Sequence, residues 1–382
     1  MKILTVVGAR PQFIKAAAIS RKIKEQFSDH VHEILVHTGQ HYDLQMSEVF
    51  FSEMGIPEPA YNLGTGSGNH GYQTGEIMKG LEELMLKEKP DGVIVYGDTN
   101  STLAGALAAS KLFIPVIHIE AGLRSFNKTM PEEINRIATD HVSTLMFSPT
   151  VTGIRNLESE GLVHSGTAPY HIDNPGIFHC GDIMYDNTLF FRKRSEEISG
   201  ILDDLDAQKD NYVLATIHRP ANTDSTKRLE NIMRALLNIS QSLKTEVILP
   251  LHPRTSLKLQ SLPDRSFVEK LNPKNGIHLI PAVSFLDMIQ LENNARVILT
   301  DSGGVQKEAW FLKKPVVILR AETEWIEITE QGNGLLADAS TEKIIHSVEH
   351  FLNNPPADFP PVYGNGDAAR EIMEIVTTVQ WR

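Results

Sequence analysis

A chain of 382 residues exceeds the roughly 250–300 at which a single hydrophobic core stops growing, so two domains are expected. Hydrophobic residues at 41% and charged residues at 22% describe an ordinary soluble globular protein. The formal charge of -12 argues against nucleic acid or an anionic membrane as the main partner, and the single cysteine, Cys180, excludes an internal disulfide and fits a reducing compartment.

Residues 2–7 form a β-rich run that stops at Gly8-Ala9-Arg10-Pro11, then continues at helical spacing through Ile14, Ala17, Ala18 and Ile23, with Pro11 suited to a first helical turn. That run is too short for a secretory leader and is broken by Arg10 and Lys15; the longest apolar stretch, 103–119, contains Ser110, Lys111 and Pro115. A cytoplasmic protein with no membrane insertion is expected. The strand-turn-helix pattern repeats in strands over 34–37, 92–96, 115–119 and 144–147, with helices over 44–54, 99–112 and 131–141. Loop-forming residues crowd 161–175, and the domain boundary is placed there. Further strands follow over 177–180, 212–217, 245–249, 277–280, 296–300 and 315–319, with helices between them, notably over 226–243 and 341–352. A proline-rich segment, 355–361, leads to a last helix over 367–378 that is expected to pack back on the first half. Such alternation implies parallel sheets covered by helices on both faces. The expectation is an α/β protein of two doubly wound, Rossmann-like domains facing a cleft, 1–170 and 171–365, with 366–382 rejoining the first.

Ligands of open α/β sheets bind beyond the carboxyl ends of the strands. Those ends carry Arg10, Gly39-Gln40-His41, Gly97-Asp98-Thr99-Asn100 and Glu120-Ala121-Gly122-Leu123-Arg124 in the first half. In the second they carry His218-Arg219, His252-Pro253-Arg254, Ser302-Gly303-Gly304, and Arg320 with Glu322 and Glu324. The stretch Val297-Ile-Leu-Thr-Asp301-Ser302-Gly303-Gly304-Val305 hands a buried strand over to a helix. Ser302 can cap that helix, and its free N–H groups and dipole then face a phosphate. Glu308 follows nearly two turns on, about where a nucleotide's ribose hydroxyls would lie; a well-capped turn with a surface Glu is the competing reading. Glu120 ends an apolar strand, where a carboxylate rarely stands without a partner. Asp98 serves equally well as a helix cap, and Glu132 and Glu133 both suit a first helical turn, where one of them needs no further role. His218 emerges beside Arg219, placed for phosphate binding or proton transfer. His37, His41, His118 and Glu120 offer ligand types without a metal-binding spacing, and Gly66-Ser-Gly68-Asn-His-Gly71 matches a dinucleotide fingerprint without an apolar strand before it. Neither a metal nor another cofactor is expected.

Taken in order, these motifs resemble the non-hydrolysing UDP-N-acetylglucosamine 2-epimerases of the glycosyltransferase-B fold. The resemblance runs almost end to end: Gly8-Ala9-Arg10-Pro11 with Lys15, Thr38-Gly39-Gln40-His41, Tyr96-Gly97-Asp98-Thr99, His118-Ile119-Glu120-Ala121-Gly122-Leu123-Arg124, Pro131-Glu132-Glu133-Ile-Asn135-Arg136, His218-Arg219, and Thr300 to Gln306 with Glu308. It implies anti elimination of UDP to a 2-acetamidoglucal and re-addition after protonation on the other face, interconverting UDP-N-acetylglucosamine and UDP-N-acetylmannosamine for bacterial surface polysaccharides. Asp98, Glu120 and Glu132 match the family's catalytic acids, with His218 beside them. Arg10, Lys15, His218, Ser302, Gly303, Gly304, Glu308 and Arg320 are implied to bind the UDP-sugar, and a homodimer is implied as the assembly. The chain departs from the family in Pro220-Ala221-Asn222, where a second Arg and a Glu usually follow, and in Glu322-Thr323-Glu324-Trp325-Ile326-Glu327 near Arg320. The departures look like the branch acting on UDP-2,3-diacetamido-2,3-dideoxyglucuronate. A glycosyltransferase of the same fold, a UDP-sugar hydrolase and a non-catalytic nucleotide-sugar sensor stay open as alternatives.

Overall fold

The computed structural model describes residues 1–40 and 57–381, so His41 and the helix expected over 44–54 lie outside the described residues. The chain divides into two compact units, Met1–Asn187 with Pro361–Arg382, and Thr188–Pro360.

The first unit is built on β1 (Lys2–Val7), β2 (His32–His37), β3 (Tyr61–Asn62), β4 (Gly92–Tyr96), β5 (Val116–Ile119), β6 (Leu145–Ser148) and β7 (Gly176–His179). They pair in parallel in the order β3-β2-β1-β4-β5-β6-β7. A strand covered on both faces reads as continuous apolar sequence: Ile3, Leu4, Val6 and Val7 are each 0% exposed. The chain winds outward from β1 to β3 and then returns to β4 on the other side of β1. That reversal leaves a crevice at the carboxyl ends of β1 and β4, where ligands of such sheets bind. The last helix, Ala368–Thr378, packs on the first, Arg10–Lys22. Its first N–H groups, from Ala368 and Ala369, donate to the buried Asp186 carboxylate at 3.1 and 2.9 Å.

Between β3 and β4 the structure has a helix that the sequence reading does not assign, His70–Glu88. Its buried residues Gln73, Ile77, Leu81 and Met85 recur every four positions. Gly71, Gly75 and Gly80 dilute that signal, since glycine is the poorest helix former after proline. The rejected glycine motif, 66–71, forms the turn leading into this helix, where Gln73 donates to Gly66 O at 2.8 Å.

The second unit repeats the plan with β8 (Tyr212–Thr216), β9 (Glu246–Leu251), β10 (Ile277–Pro281), β11 (Val297–Thr300), β12 (Val316–Ile318) and β13 (Gly334–Leu336). Their order is β10-β9-β8-β11-β12-β13, again parallel throughout, with the reversal between β8 and β11. Leu229, Ile232, Met233 and Leu236 from the helix Thr226–Leu243 pack on Val213, Ala215, Val247 and Leu249 of the sheet. No helix among the described residues is long and apolar enough to cross a membrane.

Candidate active site

At the first unit's reversal, β1 ends in Gly8. A Cβ there would collide with Ser101 Oγ and stand 2.5 Å from Thr38 Oγ1, so a side chain would force the neighbouring strand ends apart. Gln12 fixes the turn: its Oε1 accepts from the N–H groups of Gly8 and Ala9 at 2.8 and 3.2 Å, while its Nε2 donates to Tyr96 O and Thr102 Oγ1, both at 2.9 Å. Sequence reasoning passed over Gln12, although a glutamine in the third helical position is a capping signal. Arg10 opens the helix that follows.

Lys15, on the same helix, forms an ion pair with Glu120. Both charged ends lie over Gly97: a Cβ on that glycine would be 3.2 Å from Lys15 Nζ and 3.3 Å from Glu120 Oε2. Glu120 itself has φ of 73°, a conformation uncommon for a residue with a side chain, and its N–H and that of Ala121 both donate to Phe147 O at 3.0 Å. Strain at the end of β5 thus accompanies the carboxylate that meets Lys15. Asp98 pairs with Arg136, which also reaches Glu133 at 3.0 Å. The capping alternative for Asp98 is answered by its neighbour: Thr99 Oγ1 accepts from Thr102 N and caps Asn100–Lys111. Of the two acids opening the helix Pro131–Asp140, Glu132 is exposed and Glu133 is buried. Glu133 accepts from Ser125 N, Ser125 Oγ and Phe126 N at 2.8, 2.9 and 2.9 Å. Burial pushes its pKa up, but these donors and Arg136 outweigh burial and hold the carboxyl below its ordinary range.

At the second unit's reversal, the fully buried Asp301 joins the ends of β8 and β11. It accepts from the backbone N–H groups of His218 and Arg219, each at 3.1 Å, from Asn222 Nδ2 at 3.0 Å, and lies 3.1 Å from His218 Nδ1. Burial raises its pKa, yet the His218 and Asn222 hydrogen bonds outweigh burial and hold the carboxyl below its ordinary range. The His218 side chain remains 45% exposed. Asn222, within the departing stretch Pro220-Ala221-Asn222, also donates to Leu319 O at 3.0 Å and accepts from Arg228 Nε at 3.0 Å. The sequence shows Asp301 and Asn222 within notable stretches but gives neither a role of its own, because the bond that joins them spans 79 residues.

Ser302 caps the helix Gly303–Phe311, its Oγ accepting from Val305 N at 3.4 Å. A Cβ on Gly303 would come within 2.7 Å of Glu324 Oε1, whereas one on Gly304 would meet nothing nearer than Ser302 Oγ at 3.8 Å. Arg320 holds Glu324 at 2.7 Å, with Arg219 at 3.9 Å, and Trp325 Nε1 donates to Gly303 O at 3.0 Å. Glu308 lies farther along this helix beside Glu292, which is 0% exposed with no hydrogen-bond partner for either oxygen. Burial pushes both carboxyls up; the Glu308 charge adds to the effect on Glu292, while Lys307 partly opposes it at Glu308. Among the described residues no cluster of His, Cys, Asp and Glu is arranged to hold a metal.

Known proteins place these features in a family. A model of the UDP-N-acetylglucosamine 2-epimerase family matches residues 23–377. A Methanococcus maripaludis protein described as a UDP-N-acetylglucosamine 2-epimerase homolog is 50% identical over 98% of this chain and 99% of its own. The UDP-2,3-diacetamido-2,3-dideoxy-D-glucuronate 2-epimerase of Pseudomonas aeruginosa is 47% identical over 98% of this chain and 99% of its own. Among solved structures, the Methanocaldococcus jannaschii UDP-GlcNAc 2-epimerase in complex with UDP-GlcNAc and UDP aligns over 99% of both chains, at 40% identity and a TM-score of 0.78. The chain therefore belongs to the UDP-N-acetylglucosamine 2-epimerase family, isomerases of nucleotide sugars with the glycosyltransferase-B fold.

Proposed function

We propose that the protein inverts C2 of a UDP-linked acetamido sugar by anti elimination of UDP and re-addition, without net hydrolysis. The observation that carries this reading is the division of chemistry between the two strand-order reversals. The first presents ionisable pairs suited to proton transfer, Lys15–Glu120 and Arg136–Asp98, with Glu132 exposed nearby in sequence. The second presents a capped helix start, His218 and Arg320, suited to a diphosphate. The C2 hydrogen is not adjacent to a carbonyl, so departure of UDP from C1 drives the elimination. Charge developing on the diphosphate is then stabilised by Ser302, Gly303 and Gly304 at the helix start, by His218, and by Arg10 and Arg320. Glu308 holds the ribose. Asp98, Glu120 and Glu132 remove the C2 proton and return one on the opposite face.

UDP-N-acetylglucosamine is the substrate of this reading. The 2,3-diacetamido uronate is a second, supported by the 47% identity to the enzyme named for that sugar, while 50% identity to a relative described as a UDP-N-acetylglucosamine 2-epimerase homolog supports the first. Proton NMR in deuterated buffer, with each UDP-sugar offered separately, tests both: gluco/manno interconversion with deuterium entering C2 is expected for one. Net UDP release without a manno product would replace epimerisation by hydrolysis. Transfer only when an acceptor is supplied would replace it by glycosyl transfer. Family resemblance supports a cytoplasmic homodimer supplying surface-polysaccharide precursors, and a monomer in sedimentation analysis would remove the dimer from this reading.

A further inference from the structure

Beneath Asp98 and Glu120 lies a network in which no side chain reaches solvent appreciably at its centre. His118 and Asp140 are each 0% exposed. His118 Nδ1 stands 2.7 Å from Asp140 Oδ1, and its Nε2 stands 2.9 Å from the carbonyl oxygen of Gly97. The other carboxylate oxygen, Asp140 Oδ2, accepts from Gly122 N at 3.2 Å and from Arg124 Nη1 at 2.7 Å. Arg124 is in turn held in a two-pronged pair by Glu160, with both contacts at 2.7 Å. Burial raises the pKa of Asp140, but His118 and Arg124 together pull it below the ordinary carboxylate range.

The two backbone groups gripped by this network are significant. Gly97, with φ of 60°, immediately precedes Asp98; Gly122, with φ of 79°, lies two residues beyond Glu120, whose own φ is 73°. Glycine enters this region freely and so does not by itself fix a turn, while Glu120 occupies it against preference; in both cases the hydrogen bonds hold the turn. We propose that His118 and Asp140 are a positioning pair for the epimerisation: the imidazole sets the turn that carries Asp98, the carboxylate sets the turn that carries Glu120, and their mutual bond fixes the two acids relative to each other. The pair touches no substrate and acts through those turns. This rests on the assignment of Asp98 and Glu120 as the proton-transferring groups.

The two ring nitrogens can be tested separately, because an Asn amide approximates the place of Nδ1 and a Gln amide that of Nε2. His118→Asn keeps a donor for Asp140 and abandons Gly97 O, whereas His118→Gln keeps the donor for Gly97 O. A displacement approaching 1 Å at a reacting group costs about 100-fold in rate. We expect His118→Asn to lose kcat on that scale, His118→Gln markedly less, and both to keep the wild-type KM and UDP affinity. Asp140→Asn, which preserves volume but has one acceptor oxygen where the carboxylate has two and so gives up accepting from His118 Nδ1 if it keeps the Gly122 and Arg124 donors, supplies a second route if the histidine variants misfold; it too should lower kcat and C2 deuterium exchange in parallel at unchanged KM. Equal activity of the Asn and Gln variants, or wild-type kcat in Asp140→Asn, overturns the positioning role. Wild-type protein that exchanges no C2 hydrogen with either UDP-sugar overturns the reaction and the pair's role with it; exchange by the wild type, matched by every variant, overturns the pair's role alone.

Discussion

Adding a single methyl group at Gly97 separates the demands of the fold from those of the chemistry. Gly97 has φ of 60°, where a residue with a Cβ costs about 1–2 kcal/mol more than glycine. The new Cβ would stand 3.2 Å from Lys15 Nζ and 3.3 Å from Glu120 Oε2. Both atoms are ends of flexible side chains, so they retreat by a few tenths of an ångström without large steric cost. The stability loss is therefore mostly backbone, about 1–2 kcal/mol, or a melting shift of about 2–8 °C for a unit of roughly 200 residues. The chemical loss is of similar size. Shifting the Lys15–Glu120 pair by a few tenths of an ångström takes the carboxylate partly off its line, and since a misplacement approaching 1 Å costs about 100-fold, this shift costs about 5-fold, near 1 kcal/mol of barrier. Gly97→Ala should thus fold, bind UDP with an affinity within about threefold of wild type, which is under 1 kcal/mol, and lose about 5-fold in kcat. Calorimetric titration with UDP, thermal melting and initial rates measure the three quantities. A variant that keeps its kcat would show that the Lys15–Glu120 pair does not take part in turnover; one that loses UDP binding in step with rate would make Gly97 a determinant of the fold.

Asp301→Asn leaves the donors of His218, Arg219 and Asn222 facing a neutral amide in a buried site, and should cost about 3–5 kcal/mol in urea unfolding with weakened UDP binding; a cost below about 1 kcal/mol, the scale of an exposed pair, would refute the buried-anchor account. Asp186 is pushed up to about 6, mainly by burial. The folded state thus binds that proton more tightly than the unfolded one, so stability present below about pH 4 is lost as pH rises to about 6, at up to 1.4 kcal/mol per pH unit. Asp186→Asn should flatten this slope in urea titrations compared across that range, and an unchanged slope would assign it to other groups. Cys180 is 5% exposed and burial pushes its thiol up to about 12; alkylation at pH 8 should be slow in the native protein and fast in urea, and fast native labelling would contradict that burial.

Alternation of apolar runs with helical spacing points to two parallel sheets, because strands buried on both faces leave a continuous hydrophobic record in the sequence. The strand expected over 177–180 with the second domain, however, is the edge strand Gly176–His179 of the first sheet. The polar residues at the strand ends were equally visible. What the sequence did not disclose was which backbone groups those residues grip. Gln12 reaches Tyr96 O and Asp301 reaches His218 N, pairings 84 and 83 residues apart, and nothing local marks them. The helix His70–Glu88 was hidden for a different reason: its four-residue apolar repeat is interrupted by glycines that lower helical propensity, and packing against the neighbouring helix Asn100–Lys111 supplies what propensity lacks.

The acids at and around the strand ends sort by what their oxygens hold. Glu133, Asp140 and Asp301 are almost fully buried, and each accepts at least one backbone N–H. Protonating any of them would leave that donor facing a weaker acceptor in a poorly solvated place, at a cost of about 1–3 kcal/mol. The pKa of each also lies below the ordinary range, held there against burial by Ser125, Phe126 and Arg136 at Glu133, by His118 and Arg124 at Asp140, and by His218 and Asn222 at Asp301. A group so committed is a poor proton carrier, because proton transfer is fastest when both protonation states are accessible near the working pH. Asp98 meets the side chain of Arg136, Glu120 that of Lys15, and Glu132 is exposed; a side-chain partner can swing away during turnover where a backbone N–H cannot. The same strand ends therefore supply both kinds of carboxylate, one set tying the turns down and the other carried on those turns, and the tied set is what allows the second to hold its place while protons come and go.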